Sequence, residues 1–291
     1  MKAWNKWGNS PQGKILLLAV AVLPVSLVLA VSQIILYLLY YDSAVWLYRH
    51  GSEGVVLAHY LICFAACFAV AVICVVLRKR GAAFSLPSTD SEGRVERMLR
   101  WIGGGIFILG SVMRLVSFFL GVSRFSLPDA VISIMLIFGV FAGFYFFGEL
   151  DEKTGAANFS TVCGMIGVAV LCIDMFSVYT DKIKPIAADY RVFTALCTAS
   201  FLLFMVLEIR SRVHDPKPAL TVGMLFIACV LCVPTLVGRA TLCLFGRIPF
   251  GDDLGAIACG LGYSLYLISR LILYISHFAR VSESDAGESE G

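Results

Sequence analysis

Eight apolar blocks, separated by short polar connections, constrain this chain more than any other feature of its sequence. They run Ile15 to Tyr41, Val55 to Leu77, Trp101 to Val122, Ala130 to Gly148, Phe159 to Tyr179, Val192 to Leu207, Ala219 to Val237 and Leu254 to Ala279. A helix needs about 20 apolar residues to cross roughly 30 Å of hydrocarbon. Lipid offers backbone N–H and C=O groups no partner, so a spanning segment must be a helix or part of a closed barrel, and these blocks lack the alternation and frequent turns of barrel strands. The sequence therefore predicts an all-α, polytopic integral membrane bundle of eight transmembrane helices over residues 1–281. An acidic tail, 282–291, holds almost no apolar side chain and is predicted to be disordered.

Composition excludes the main rival classes. Hydrophobic residues make up 59% and charged residues 15%, with a mean hydropathy of +0.87, whereas soluble domains are about a quarter charged. Lys and Arg number 23 against 20 Asp and Glu, a net charge of +3, so there is no basic face for nucleic acid. Of the ten cysteines, nine lie in or beside apolar blocks, where Cys behaves as a small hydrophobe and not as part of a disulfide framework.

The first block follows Lys2, Lys6 and Lys14, as the core of a secretory signal would, and Ala30-Val31-Ser32 offers a cleavage site. The apolar run continues through Ile34, Ile35 and Leu36 to Tyr41, longer than a signal core, so an uncleaved first span is expected. Alternate connections differ in positive charge. Lys2, Lys6, Lys14, Arg78, Lys79, Arg80, Arg94, Arg97, Arg100, Lys153, Arg210, Arg212, Lys217 and Arg280 fall on one side. Arg49, Arg124, Lys182, Lys184, Arg191, Arg239 and Arg247 fall on the other. The twofold excess places both termini on the cytoplasmic side of a cell membrane.

Charged groups within spans are costly, about 2.5–3.5 kcal/mol each at the membrane centre, and so mark partners, cavities or function. Three stand out: Arg114, Asp174 and Arg270. At about 1.5 Å per residue, Arg114 lies roughly 20 Å beyond Trp101 and Asp174 roughly 24 Å beyond Asn158. Their spans run in the same direction, so the two are expected at similar depth in the outer half, first as a structural ion pair and second as an outward-open polar pocket joined by His59 and Tyr60. Arg270 is expected to snorkel to the inner headgroups, with Glu149 and Glu208 as alternative partners. His277, Tyr274 and Arg280 look like anchors along the same edge.

Cys229 and Cys232 form the one arrangement with a catalytic look, a Cys-x-x-Cys within a single span. No basic residue stands beside them to favour thiolate, so packing is expected ahead of redox chemistry. Gly139-x-x-x-Gly143, Gly103-Gly104-Gly105, Gly164 with Gly167, and Gly255, Gly260 and Gly262 are seams along which helices, or a second copy, can approach closely. No motif calls for a metal or a cofactor. Three functions remain, in this order: a non-enzymatic subunit for sensing or assembly with a protein partner, a small secondary transporter or permease with an outer-half polar pocket for a small solute, and an intramembrane thiol-redox enzyme.

Overall fold

The computed structural model describes residues 11–42, 47–87, 92–121, 127–148, 155–180, 189–213, 216–245 and 250–288. Each apolar block centres on one helix: α1 (Pro11–Tyr40), α2 (Glu53–Lys79), α3 (Arg94–Gly121), α4 (Leu127–Gly143), α5 (Gly155–Thr180), α6 (Asp189–Val213), α7 (Pro218–Leu244) and α8 (Phe250–Glu288). The chain is an all-α membrane bundle. Among the described residues, six helices are long and apolar enough to cross a membrane, while α4 and α5 contribute the shorter stretches Ile132–Phe147 and Phe159–Met175. The described residues also hold a two-residue antiparallel ladder, β1 (Tyr41–Asp42) with β2 (Leu47–Tyr48), in which Tyr41 faces Tyr48. It turns the chain between α1 and α2, under a cluster of Tyr37, Tyr41 and Tyr48 rings.

Several helices outrun their apolar blocks. The last continues to Glu288, into the segment for which the sequence predicts disorder, and 289–291 lie outside the described residues. The third begins at Arg94, seven residues ahead of Trp101, so Arg94, Arg97 and Arg100 belong to a helix and not to a connecting loop. At its far end α4 tightens into a 3-10 turn, Phe144–Phe147, before an extended Gly148.

Neighbour relations close a ring. Helix α3 packs on α4, α4 on α5, α5 on α6, α6 on α7, α7 on α8, and α8 returns to α3; α1 lies outside against α7 and α8, and α2 against α7 and α1. The most intimate contact is α3 with α8, and glycine makes it so. A Cβ on Gly110 would stand 2.7 Å from both the Gly255 carbonyl oxygen and the Cys259 nitrogen, and one on Gly262 would stand 2.7 Å from the Gly103 oxygen. Backbone atoms cannot yield that distance. These seams are therefore filled within the chain.

The seam gives a matched pair of expected outcomes. Gly110→Ala forces α3 off α8 and is expected to lower stability by about 1–3 kcal/mol, the usual range for overpacking. Gly105→Ala, where a new Cβ meets nothing within 4 Å, is expected to leave stability unchanged or raise it by up to about 1 kcal/mol through helix propensity. Thermal melts of the two variants in detergent distinguish them directly.

Candidate functional site

Arg114 on α3 and Asp174 on α5 meet head on. Arg114 Nη1 donates to Asp174 Oδ2 and Nη2 to Oδ1, each at 2.9 Å, the bidentate geometry in which a planar guanidinium matches a carboxylate. Two glycines make room for it. The Arg114 stem lies across Gly255 of α8, where a Cβ would approach its Cγ to 2.6 Å. On the opposite side Gly139 of α4 presents no side chain to the space above the pair.

That space is a cavity of about 430 Å³ between α3, α4 and α5. Its polar wall is Ser111, Arg114, Ser117 and Asp174; Phe118, Ile132, Met135, Leu136, Val170 and Ile173 supply an apolar one. Both charged side chains open into it, at 30% and 31% exposure, far more than the Arg270 side chain at 2%. The depth arithmetic brought two residues 60 positions apart to one level, and there they touch.

His59 does not join them. It sits on α2, outside the ring, with Nδ1 2.6 Å from Ser32 Oγ of α1 and Nε2 3.6 Å from Cys63 Sγ. Tyr60 stacks on Phe193 of α6 at 4.2 Å. The side chains that flank the pair from α8 are instead Cys259 and Tyr263: Ser111 Oγ lies 3.6 Å from Cys259 Sγ, and Tyr263 is close enough to feel both charges.

Cys229 and Cys232 are buried, and all ten cysteines are free thiols. Cys229 Sγ points to the Leu267 carbonyl at 3.8 Å, while Cys232 Sγ lies 3.5 Å from Ser200 Oγ and 3.4 Å from the Cys197 carbonyl of α6. Each sulfur serves as a weak partner to a neighbouring helix. Among the described residues no group of three or more His, Cys, Asp or Glu converges as metal ligands.

A second charge layer occupies the other end of the ring, and its hub is Glu208 of α6. Oε2 accepts hydrogen bonds from Tyr145 and Tyr266, both at 2.6 Å, while Oε1 lies 2.8 Å from Arg270 Nε and 3.8 Å from Arg212 Nη2. Arg270 also donates through Nε to the Tyr266 hydroxyl at 3.0 Å. This corrects the expectation that Arg270 snorkels to lipid: its guanidinium is held inside the bundle. Glu149, the other partner considered for it, lies outside the described residues. His277 is likewise engaged, with Nε2 2.7 Å from Ser85 Oγ.

Arg100 extends this layer. It donates to both oxygens of Glu92, at 2.8 and 2.9 Å, and to the carbonyls of Phe146 and Gly148. Those carbonyls belong to the end of α4, where a helix leaves its last C=O groups without internal partners; the 3-10 turn aims them inward and a buried guanidinium caps them. On the same helix Glu96 accepts from Ser276 of α8 at 3.1 Å. At this end of the ring Arg270 and Arg212 thus face Glu208, Arg100 faces Glu92, and Glu96 is held by a serine.

Between the two charge layers lies an aromatic one. Phe201 of α6 packs on Tyr263 at 4.3 Å, Phe107 of α3 on Tyr263 at 5.0 Å, and Phe146 on Tyr266 at 4.7 Å. Along α8 the order is Gly255 beside Arg114, then Tyr263, Tyr266 and Arg270. Fifteen residues at about 1.5 Å each separate Gly255 from Arg270 by roughly 22 Å, most of a bilayer's hydrocarbon thickness.

No protein-family model, curated protein or solved structure matches the chain.

Proposed function

We propose that this multi-pass membrane protein is a small secondary transporter whose solute site is the cavity at Arg114 and Asp174. The observation that carries the reading is the placement of a bidentate ion pair on the wall of a 430 Å³ cavity, with both charged groups facing the space. A pair serving helix assembly alone gains nothing from a cavity beside it, and intramembrane charges that face a cavity are where membrane proteins handle solutes.

The layers beneath the site support the same reading. A carrier must close one end while the other is open, and here the end opposite the cavity is filled by aromatic rings and by the Glu208 network. The sequence excess of Lys and Arg toward the Glu208 end supports a cytoplasmic position for that end and an outward-facing cavity. The rival subunit reading draws on glycine seams, but Gly103, Gly110, Gly255 and Gly262, where α3 meets α8, are consumed inside the chain.

Binding measurements on purified protein test the reading. A panel of small charged and zwitterionic solutes, screened by thermal shift, is expected to contain ligands that stabilise the parent protein and leave Arg114→Ala and Asp174→Ala unshifted. Counterflow in proteoliposomes should then carry the same ligands. Stabilising ligands that act equally on the parent and both variants would place the solute site elsewhere.

A further inference from the structure

The cavity's charges restrict what can enter it. Arg114 and Asp174 neutralise each other, so the site carries no net charge when empty. An anion that recruits Arg114 strips Asp174 of this bidentate partner in a low-dielectric wall, and a cation that recruits Asp174 does the same to Arg114. Even in a pair that is 30% and 31% exposed, parting the two is unfavourable because the remaining charge is left poorly compensated on its protein side. A ligand that brings one charge of each sign avoids this. Its carboxylate takes the guanidinium fork, its ammonium takes the Asp174 carboxylate, one ion pair becomes two, and the site stays neutral.

We propose that the site takes an aliphatic zwitterion, an ammonium and a carboxylate held close together on a branched apolar side chain. This rests on the reading of the cavity as a solute site and names its ligand class. Closeness of the two ligand charges is required because the protein charges they meet are in contact, with N···O distances of 2.9 Å, and need separate only enough to admit one small head. The rest of the ligand is mainly apolar: apart from Ser111 and Ser117 on the α3 side, the wall beyond the pair is built by Ile132, Met135 and Leu136 of α4 with Val170 and Ile173 of α5. These side chains offer no hydrogen bond, so a polar side chain placed there would lose its water without replacement. Arginine's fixed fork suits a carboxylate, whereas the three donors of an ammonium can spread over both Asp174 oxygens.

Three probes of nearly one shape make the test. Leucine carries both charges, 4-methylpentanoate lacks the ammonium and 3-methylbutylamine lacks the carboxylate. Equilibrium binding of each to the full-length protein in nanodiscs is expected to favour leucine by at least about tenfold over either analogue, a factor equivalent to about 1.4 kcal/mol. Arg114→Ala and Asp174→Ala should each erase that preference, and a Leu136→Asn change on the apolar wall should weaken leucine while leaving the pair intact. Equal or tighter binding of one singly charged analogue, still lost in Arg114→Ala or Asp174→Ala, overturns the zwitterion class and leaves the solute site standing. If none of the three binds the parent protein at millimolar concentration, the class is also wrong; outside access to Ser117 then judges the site separately. Where a single variant fails to fold, the charge-swapped Arg114→Asp with Asp174→Arg protein replaces it, and it should keep the preference for leucine with the ligand reversed.

Discussion

Glu208→Ala is expected to be the most damaging single substitution in the membrane core. The change removes the acceptor of two tyrosine hydroxyls and the counter-charge of Arg270, and it takes the nearest carboxylate from Arg212. All of these groups are buried, and removing one member of such a cluster costs about 3–5 kcal/mol through the charge left behind. The protein should lose monodispersity in detergent or melt far below the parent. Glu208→Gln keeps hydrogen-bond acceptance and should fall between the two. Combining Glu208→Gln with Arg270→Met removes both charges and should recover part of the loss, because a neutral replacement for a buried pair is better tolerated than half of one. A Glu208→Ala protein as stable as the parent would mean that the layer is not holding the end of the ring together.

The second large effect belongs to Arg114 and Asp174, where stability and binding are expected to part company. The pair is partly open to the cavity, so solvation softens the penalty of breaking it. Each single alanine variant should lose about 1.5–3 kcal/mol, the range for charge-assisted hydrogen bonds, and the double variant should lose less than the sum of the two. Solute binding should behave otherwise, with each single change abolishing it as fully as the double does. Melting curves and binding isotherms on the same four proteins complete the cycle. Additive stability losses would deny that the two residues act as a pair.

Much of this structure was legible because the membrane simplifies the problem. Backbone hydrogen bonding forces helices and bilayer thickness sets their length, so eight apolar blocks map onto eight helices. Arg114 and Asp174 could be paired from depth alone, since each interrupts an otherwise apolar run and rise per residue converts position into height. His59 was grouped with them on the same grounds, but depth carries no information about which side of the ring a helix occupies, and α2 packs outside it.

Of the layer around Glu208, the sequence offers only the contact of Glu208 with Arg270, as an alternative to snorkelling, and the structure has it; the rest is hidden for a different reason. Between Arg94 and Arg100, charged residues resemble a cytoplasmic loop, yet the segment is a helix that buries two of its four charged side chains. Val95 and Met98 are 60% and 57% exposed, toward the lipid side, while Glu96 and Arg100 are 6% and 1% exposed and point into the bundle. Arg94 and Arg97 stay exposed, so charge alone does not tell the two faces apart. Arg270 was misjudged because its stem is long enough to reach headgroups; Glu208, which holds it, stands near the end of a block whose following Arg210 and Arg212 resemble an ordinary basic flank. A pattern that could have revealed the layer is the coincidence of Glu208, Arg270 and Arg100 at similar heights on three spans.

Whether the cavity opens to the outside is the most direct question that can be put to the protein. Ser117 lies one turn beyond Arg114 on the cavity wall. In Ser117→Cys, a charged, membrane-impermeant thiol reagent added to intact cells should modify the new cysteine, as located by mass spectrometry with the ten native cysteines as internal references. A saturating ligand identified by thermal shift should protect it. Modification only from the cytoplasmic face, or none from either face in protein that is folded, would contradict an outward-open site at Arg114 and Asp174.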